Sequence, residues 1–129
     1  NPNVYYYEGR VAIEKKDYPV ALTNFDKAIV IDPKYTFAHF FKGRVLTFNL
    51  NRPKDGVAAF TQAANIEPGY ASIYLNRAHA YVRMGEATKA KLDFAQAVKL
   101  NPNLASQVPT DAQIEAAMRP SGTNIVTGD

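Results

Sequence analysis

The sequence predicts an all-α fold, an array of antiparallel helix hairpins, on three observations. Residues 71–104 read ASIYLNRAHAYVRMGEATKAKLDFAQAVKLNPNL, two helical patterns joined by Met84-Gly85-Glu86. The whole stretch recurs twice upstream. Each of the three units closes on a proline, at Pro33, Pro68 and Pro102. Small residues form one column (Gly9, Gly43, Ala78) and a second (Ala21, Gly56, Ala90). Phe25, Phe60 and Phe94 align, as do Ala28, Ala63 and Ala97. Steps are 34 or 35 residues: Gly9 to Gly43 and Gly56 to Ala90 are 34, but Gly43 to Ala78 and Ala21 to Gly56 are 35. One extra residue therefore lies between Gly43 and Gly56, and the turn Asn49-Leu50-Asn51-Arg52-Pro53 is its expected place.

The first helix is expected from about Asn3 to Lys15. Asp17 can accept bonds from the free amides of the second, with Pro19 in its first turn. Ala21, Leu22, Phe25, Ala28 and Ile29 mark the buried face, and Asp32-Pro33 stops the helix. Gly9 weakens its own helix by about 1 kcal/mol relative to Ala, so a close helix approach is expected there. The second unit repeats this from Phe37 to Ile66, with Pro53 opening its second helix. In the third, Gly85 ends the first helix. Thr110 and Gln113 have capping-box spacing. They predict a short helix from Asp111 to Met118, presenting Ile114, Ala117 and Met118 to Leu92 and Val98. The last residues, 120–129, show no periodicity and are expected to be a disordered tail.

These columns resemble the tetratricopeptide repeat (TPR) family over residues 2–104. The resemblance rests on Tyr74, Ala78, Tyr81, Gly85, Ala90, Phe94, Ala97 and Pro102 and their two earlier copies. It implies a right-handed superhelical solenoid with units at 2–35, 36–70 and 71–104, and residues 105–119 read as a C-terminal capping helix. There are departures. Tyr5, His39 and Tyr74 stand where the family often has Trp; Glu8, Lys42 and Arg77 stand where Leu is common; Ala12 replaces an aromatic. The three charges are expected to pair across stacked first helices.

The 129 residues suit one domain. No apolar run approaches the roughly 18 residues of a membrane helix, so membrane insertion is not expected. With no Cys, a disulfide framework and a thiolate metal site are both excluded. That leaves the compartment open, a soluble cytoplasmic setting being favoured over a periplasmic or secreted one. Asn1-Pro2-Asn3 echoes Asn101-Pro102-Asn103, so further repeat upstream is expected. A net charge of +3 without a basic run speaks against nucleic acid.

Chemistry is sparse. His39 replaces a packed aromatic, and Ser72 and His79 lie too far apart along one helix to act as nucleophile and base. No carboxylate pair lies in a tuning apolar setting, and no phosphate loop is present. No catalytic residue, cofactor or metal is therefore expected, and the chain does not read as an enzyme.

The resemblance puts ligands in a concave groove lined by the first helix of each unit. Carried over column by column, that surface holds Tyr6, Arg10, Phe37, Phe40, Arg44, Leu75, His79 and Arg83, with Tyr7, Phe41 and Asn76 at its margin. Tyr6, Phe40 and Leu75 form an apolar strip, and Arg10, Arg44 and His79 run beside it. In one subclass of the family, which clamps chaperone C-termini, five polar residues do the work. The matching positions here are Tyr6, Arg10, Phe41, Ser72 and Asn76, and none agrees. The expected function is a protein-interaction adaptor that holds a short apolar and acidic peptide segment. The alternative is an assembly module that stacks on further repeats or on itself, which exposed apolar surface at the array ends would favour.

Overall fold

The computed structural model describes residues 1–119, so the expected tail at 120–129 lies outside the described residues. Among the described residues there are seven α-helices and no strand. Helix α1 (Pro2–Glu14) begins where the Asn1 side chain accepts from the Asn3 amide at 2.9 Å. Helix α2 (Tyr18–Ile31) is capped by Asp17, whose carboxylate accepts from the Val20 amide at 3.3 Å. Helices α3 (Thr36–Arg44) and α4 (Pro53–Ile66) form the second hairpin, α5 (Ala71–Arg83) and α6 (Ala87–Leu100) the third. Asp32, Glu67 and Asn101, each before a proline, leave the helical region and end the second helix of each unit. Gly85 holds φ at +76° between α5 and α6, a conformation that suits glycine.

The glycine columns are close contacts between helices. A Cβ on Gly9 would lie 2.6 Å from Cε1 of Phe25, and one on Gly43 2.7 Å from Cε1 of Phe60. Phe25 and Phe60 are fully buried, so each ring is keyed into the bare backbone opposite. Three apolar clusters follow one another along the chain. One joins α1, α2 and α3, the next α3, α4 and α5, and the last α5, α6 and the C-terminal segment. Each hairpin is therefore buried by its neighbours in sequence, as in other repeat arrays.

Three expectations change. The extra residue does not sit in the turn. Val45–Asn49 continues α3 as a π-helical stretch, with the Leu50 amide donating to the Val45 carbonyl at 3.0 Å. A wider turn absorbs one residue without breaking the helix. It also places Thr47, wholly buried, against Gly56, where any side chain would collide with the Thr47 hydroxyl.

The charged column does not pair with itself. Lys42 reaches back to Asp26 on α2 at 2.7 Å. Arg77 grips Asp93 on α6 with two bonds, 2.7 and 2.9 Å, and touches Thr61 on α4 at 3.3 Å. Carboxylates on second helices are the nearer partners, because first helices present this column toward them rather than toward each other.

The C-terminal segment is a 3-10 turn (Pro102–Gln107) followed by α7 (Asp111–Met118). Thr110 and Gln113 form the reciprocal capping box. Ile114 is 2% exposed and joins Leu75, Ala78, Phe94 and Leu104. Leu92 instead faces solvent at 66% exposure, and Ala117 is exposed, because α7 leans on α5 more than on α6.

Candidate functional site

The first helices α1, α3 and α5 line one concave pocket of about 830 Å³. Its wall includes Tyr6, Arg10, Phe37, Phe40, Phe41, Arg44, Leu75, Asn76 and His79. Arg83 is not part of this wall. Its guanidinium stands 5.0 Å from the centre of the Phe48 ring and donates to the Thr47 carbonyl at 3.3 Å, bracing the π-helical stretch.

The apolar strip is a floor rather than an exposed surface. Tyr6, Phe40 and Leu75 are 5%, 5% and 7% exposed, the first two packed against neighbouring rings and Leu75 in the cluster with Phe94, Leu104 and Ile114. Tyr6 lies 5.1 Å from Tyr35 and 5.9 Å from Phe41, and Phe40 5.7 Å from Tyr70. The exposed apolar rim is Tyr7 and Phe37. Tyr35, Tyr70, Leu104 and Gln107 complete the wall and escaped the sequence reading. The first three form a repeat column of their own, two residues after Pro33, Pro68 and Pro102. That signal was available, but it lies between helices, where a search along helix faces does not look.

Arg10 lies 5.2 Å and Arg44 5.6 Å from the centre of the Phe41 ring, within cation–π range. Ring contacts hold the guanidinium planes but satisfy few of their N–H groups. Among the described residues neither arginine has an ion-pair partner, and the pocket wall holds no carboxylate. At the other end Asn76 donates to the Ser72 carbonyl at 2.8 Å. His79 packs edge-on to Phe94 at 5.0 Å, and burial, with Arg83 nearby, lowers its pKa below the ordinary 6.5. The imidazole is therefore neutral at neutral pH. One end of the groove is aromatic and cationic, the other small and polar.

Stacked antiparallel hairpins with a concave face of first helices define a helical-repeat domain. Residues 71–104 match the family model of the tetratricopeptide repeat. The two earlier hairpins repeat the same columns and the same fold, so the likeness to the tetratricopeptide repeat extends over the three hairpins. It is 26% identical to a DnaJ homolog subfamily C member 7 homolog of Dictyostelium discoideum, over 80% of this chain and 22% of that protein. It is 25% identical to a Protein STIP1 homolog of the same organism, over 86% of this chain and 18% of that protein. The chain thus spans about a fifth of the length of these relatives. Among solved structures it resembles the first TPR of Spaghetti (RPAP3) bound to the HSP90 peptide SRMEEVD. That match has a TM-score of 0.83 and 19% identity, over 91% of this chain and 92% of the other. It also resembles MamA, at a TM-score of 0.76 and 21% identity, over 82% and 61% of the two chains. At these identities the likeness is one of fold. Among the described residues no helix is long and apolar enough to cross a membrane.

Proposed function

We propose that this domain is a protein-interaction adaptor whose concave groove holds a short peptide segment carrying apolar and acidic side chains. One observation carries the reading. Arg10 and Arg44 project beside an aromatic floor, in a pocket wall that contains no carboxylate to neutralise them. An arginine grips a carboxylate with two parallel bonds, which gives orientation as well as attraction. The peptide in the similar RPAP3 domain, SRMEEVD, combines Met and Val with acidic residues. The polar residues by which the family clamps chaperone tails are absent at Tyr6, Arg10, Phe41, Ser72 and Asn76. Acidic side chains of the ligand, rather than its terminal carboxylate, are therefore the anchor here.

Neighbouring helices pack about 8–10 Å apart, so three span roughly 20 Å. That distance admits about six extended residues at about 3.3 Å each. So small an interface gives affinity in the micromolar range. The test is a fluorescence-anisotropy titration with a panel of apolar heptapeptides carrying none to three acidic residues, SRMEEVD among them. Affinity should climb with acidic content and be unchanged by amidating the C-terminus. Arg10→Glu with Arg44→Glu should weaken binding at least tenfold, while Lys27→Glu with Lys99→Glu on the outer face should not. Equal loss in both double variants, or an affinity indifferent to acidic content, would remove the groove from consideration.

A further inference from the structure

The arginines of the array divide by what their guanidinium groups hold. Arg52 is paired with Asp55 at 2.7 Å. Arg77 grips Asp93 with two bonds and touches Thr61. Arg83 donates to the Thr47 carbonyl. Arg10 and Arg44 reach no carboxylate and no carbonyl oxygen among the described residues. Both are exposed, and both belong to the concave wall.

These two arginines come from different helices, α1 and α3, yet they lean on one ring. Their guanidinium carbons stand 5.2 and 5.6 Å from the centre of Phe41, which itself stacks on Phe25 at 6.3 Å. Arg10 also lies 5.8 Å from the Tyr6 ring, and Arg44 5.8 Å from that of Phe40, both rings being buried in the floor. The rings hold the guanidinium planes and leave the N–H groups for other acceptors. Two stiffened forks are thus gathered around one side chain. The third member of their column, His79 on α5, is neutral at neutral pH. The unspent positive charge therefore sits at one end of the groove instead of running along it.

This gathering decides between kinds of acid. A carboxylate has two oxygens, which a single arginine fork occupies, and the second arginine is left without a partner. A phosphate monoester carries about −1.5 to −2 charge at pH 7 and three acceptor oxygens. It can take both forks at one centre and neutralise both cations. We infer that the Arg10–Phe41–Arg44 end of the groove receives a phosphorylated side chain of the bound segment. The inference rests on the peptide reading of the groove and adds a condition to it: the partner is captured after modification, so a kinase acting on the partner controls the contact.

The test is a fluorescence-anisotropy titration with four forms of SRMEEVD. One is unchanged, and in the others the glutamate pair is replaced by phosphoserine-alanine, glutamate-alanine or serine-alanine. The phosphoserine and paired-glutamate peptides carry nearly the same charge, on one centre and on two. The phosphoserine peptide should bind at least tenfold more tightly than the single-glutamate peptide and severalfold more tightly than the pair. Arg10→Gln and Arg44→Gln, each alone, should bring the phosphoserine and single-glutamate peptides to nearly equal affinity, since one fork treats the two acids alike. Both positions are exposed, and circular dichroism should find both variants folded. Inorganic phosphate should displace the phosphoserine peptide only in the millimolar range. Equal affinity for phosphoserine and the glutamate pair overturns the inference and leaves the groove reading standing, whereas four equally weak peptides remove both. A phosphoserine preference that survives both single variants also overturns it. So does displacement by inorganic phosphate at the concentration where the peptide itself binds, which would make the site one for the free anion.

Discussion

Gly9 and Gly43 are bare because fully buried phenylalanine rings occupy the space a methyl group would take. Gly43→Ala gains about 1 kcal/mol of helix propensity but overpacks a ring that cannot move, at a cost of about 1–3 kcal/mol. The variant should be less stable in urea unfolding despite its better helix former. This column was legible in the sequence because it repeats. The Arg77–Asp93 pair was not, since Asp93 shares its column with Asn24 and Ala59 and leaves no charge pattern to read. Asp93→Ala strands a largely buried guanidinium and should cost about 3 kcal/mol. His79 supplies a pH test. Its folded pKa is lowered by burial, so the unfolded chain binds the proton more tightly. The stability that follows is present above the ordinary value of 6.5 and is lost as pH falls below it. His79→Gln should flatten that part of a melting-temperature profile.

Helix boundaries were the most predictable feature of this chain, because Asp17, Pro33, Pro53, Gly85 and Thr110 act locally. What periodicity could not place was the added residue of the second unit. A π-helical stretch and a longer turn obey the same count, and tertiary packing of Thr47 against Gly56 selects between them. Helix α7 was likewise predicted from its capping box, but its docking direction depends on contacts with α5 that no local signal carries. Truncating Ile114 to Ala removes the only buried side chain of that helix and should cost about 2–5 kcal/mol. Chemical denaturation would measure the cost, and loss of amide protection at 111–118 would locate it. The groove was legible where it lies on helices. Tyr35, Tyr70 and Leu104 enter it from connections, where hydrophobic spacing has no period to betray them.

For the whole molecule, the net charge of +3 understates the groove, where cations face no acid. Peptide affinity should therefore fall several-fold as salt rises from about 0.1 M, where screening acts over about 10 Å, to about 1 M, where it acts over about 3 Å. Isothermal titration across that range checks it. An affinity unaffected by salt would mean that the arginines serve only to pack the aromatic rings.

The two seams of the array are not equally stiff. Helices α4 and α5 meet more extensively than α2 and α3. Arg77 and Arg83 also tie the third hairpin to Thr61 and Thr47 by hydrogen bonds, whereas the first seam combines ring packing of Tyr6 and Phe25 on Phe41 with a half-exposed Lys42–Asp26 pair. Under a bending load the molecule should therefore give first at its first seam, the hairpin that carries Tyr7 and Arg10 moving against the pair behind it. Amides of α1 and α2 should then exchange faster than those of α4 and α5. A partner pulled outward would be let go from the aromatic end first, by opening of the jaw rather than by sliding along it.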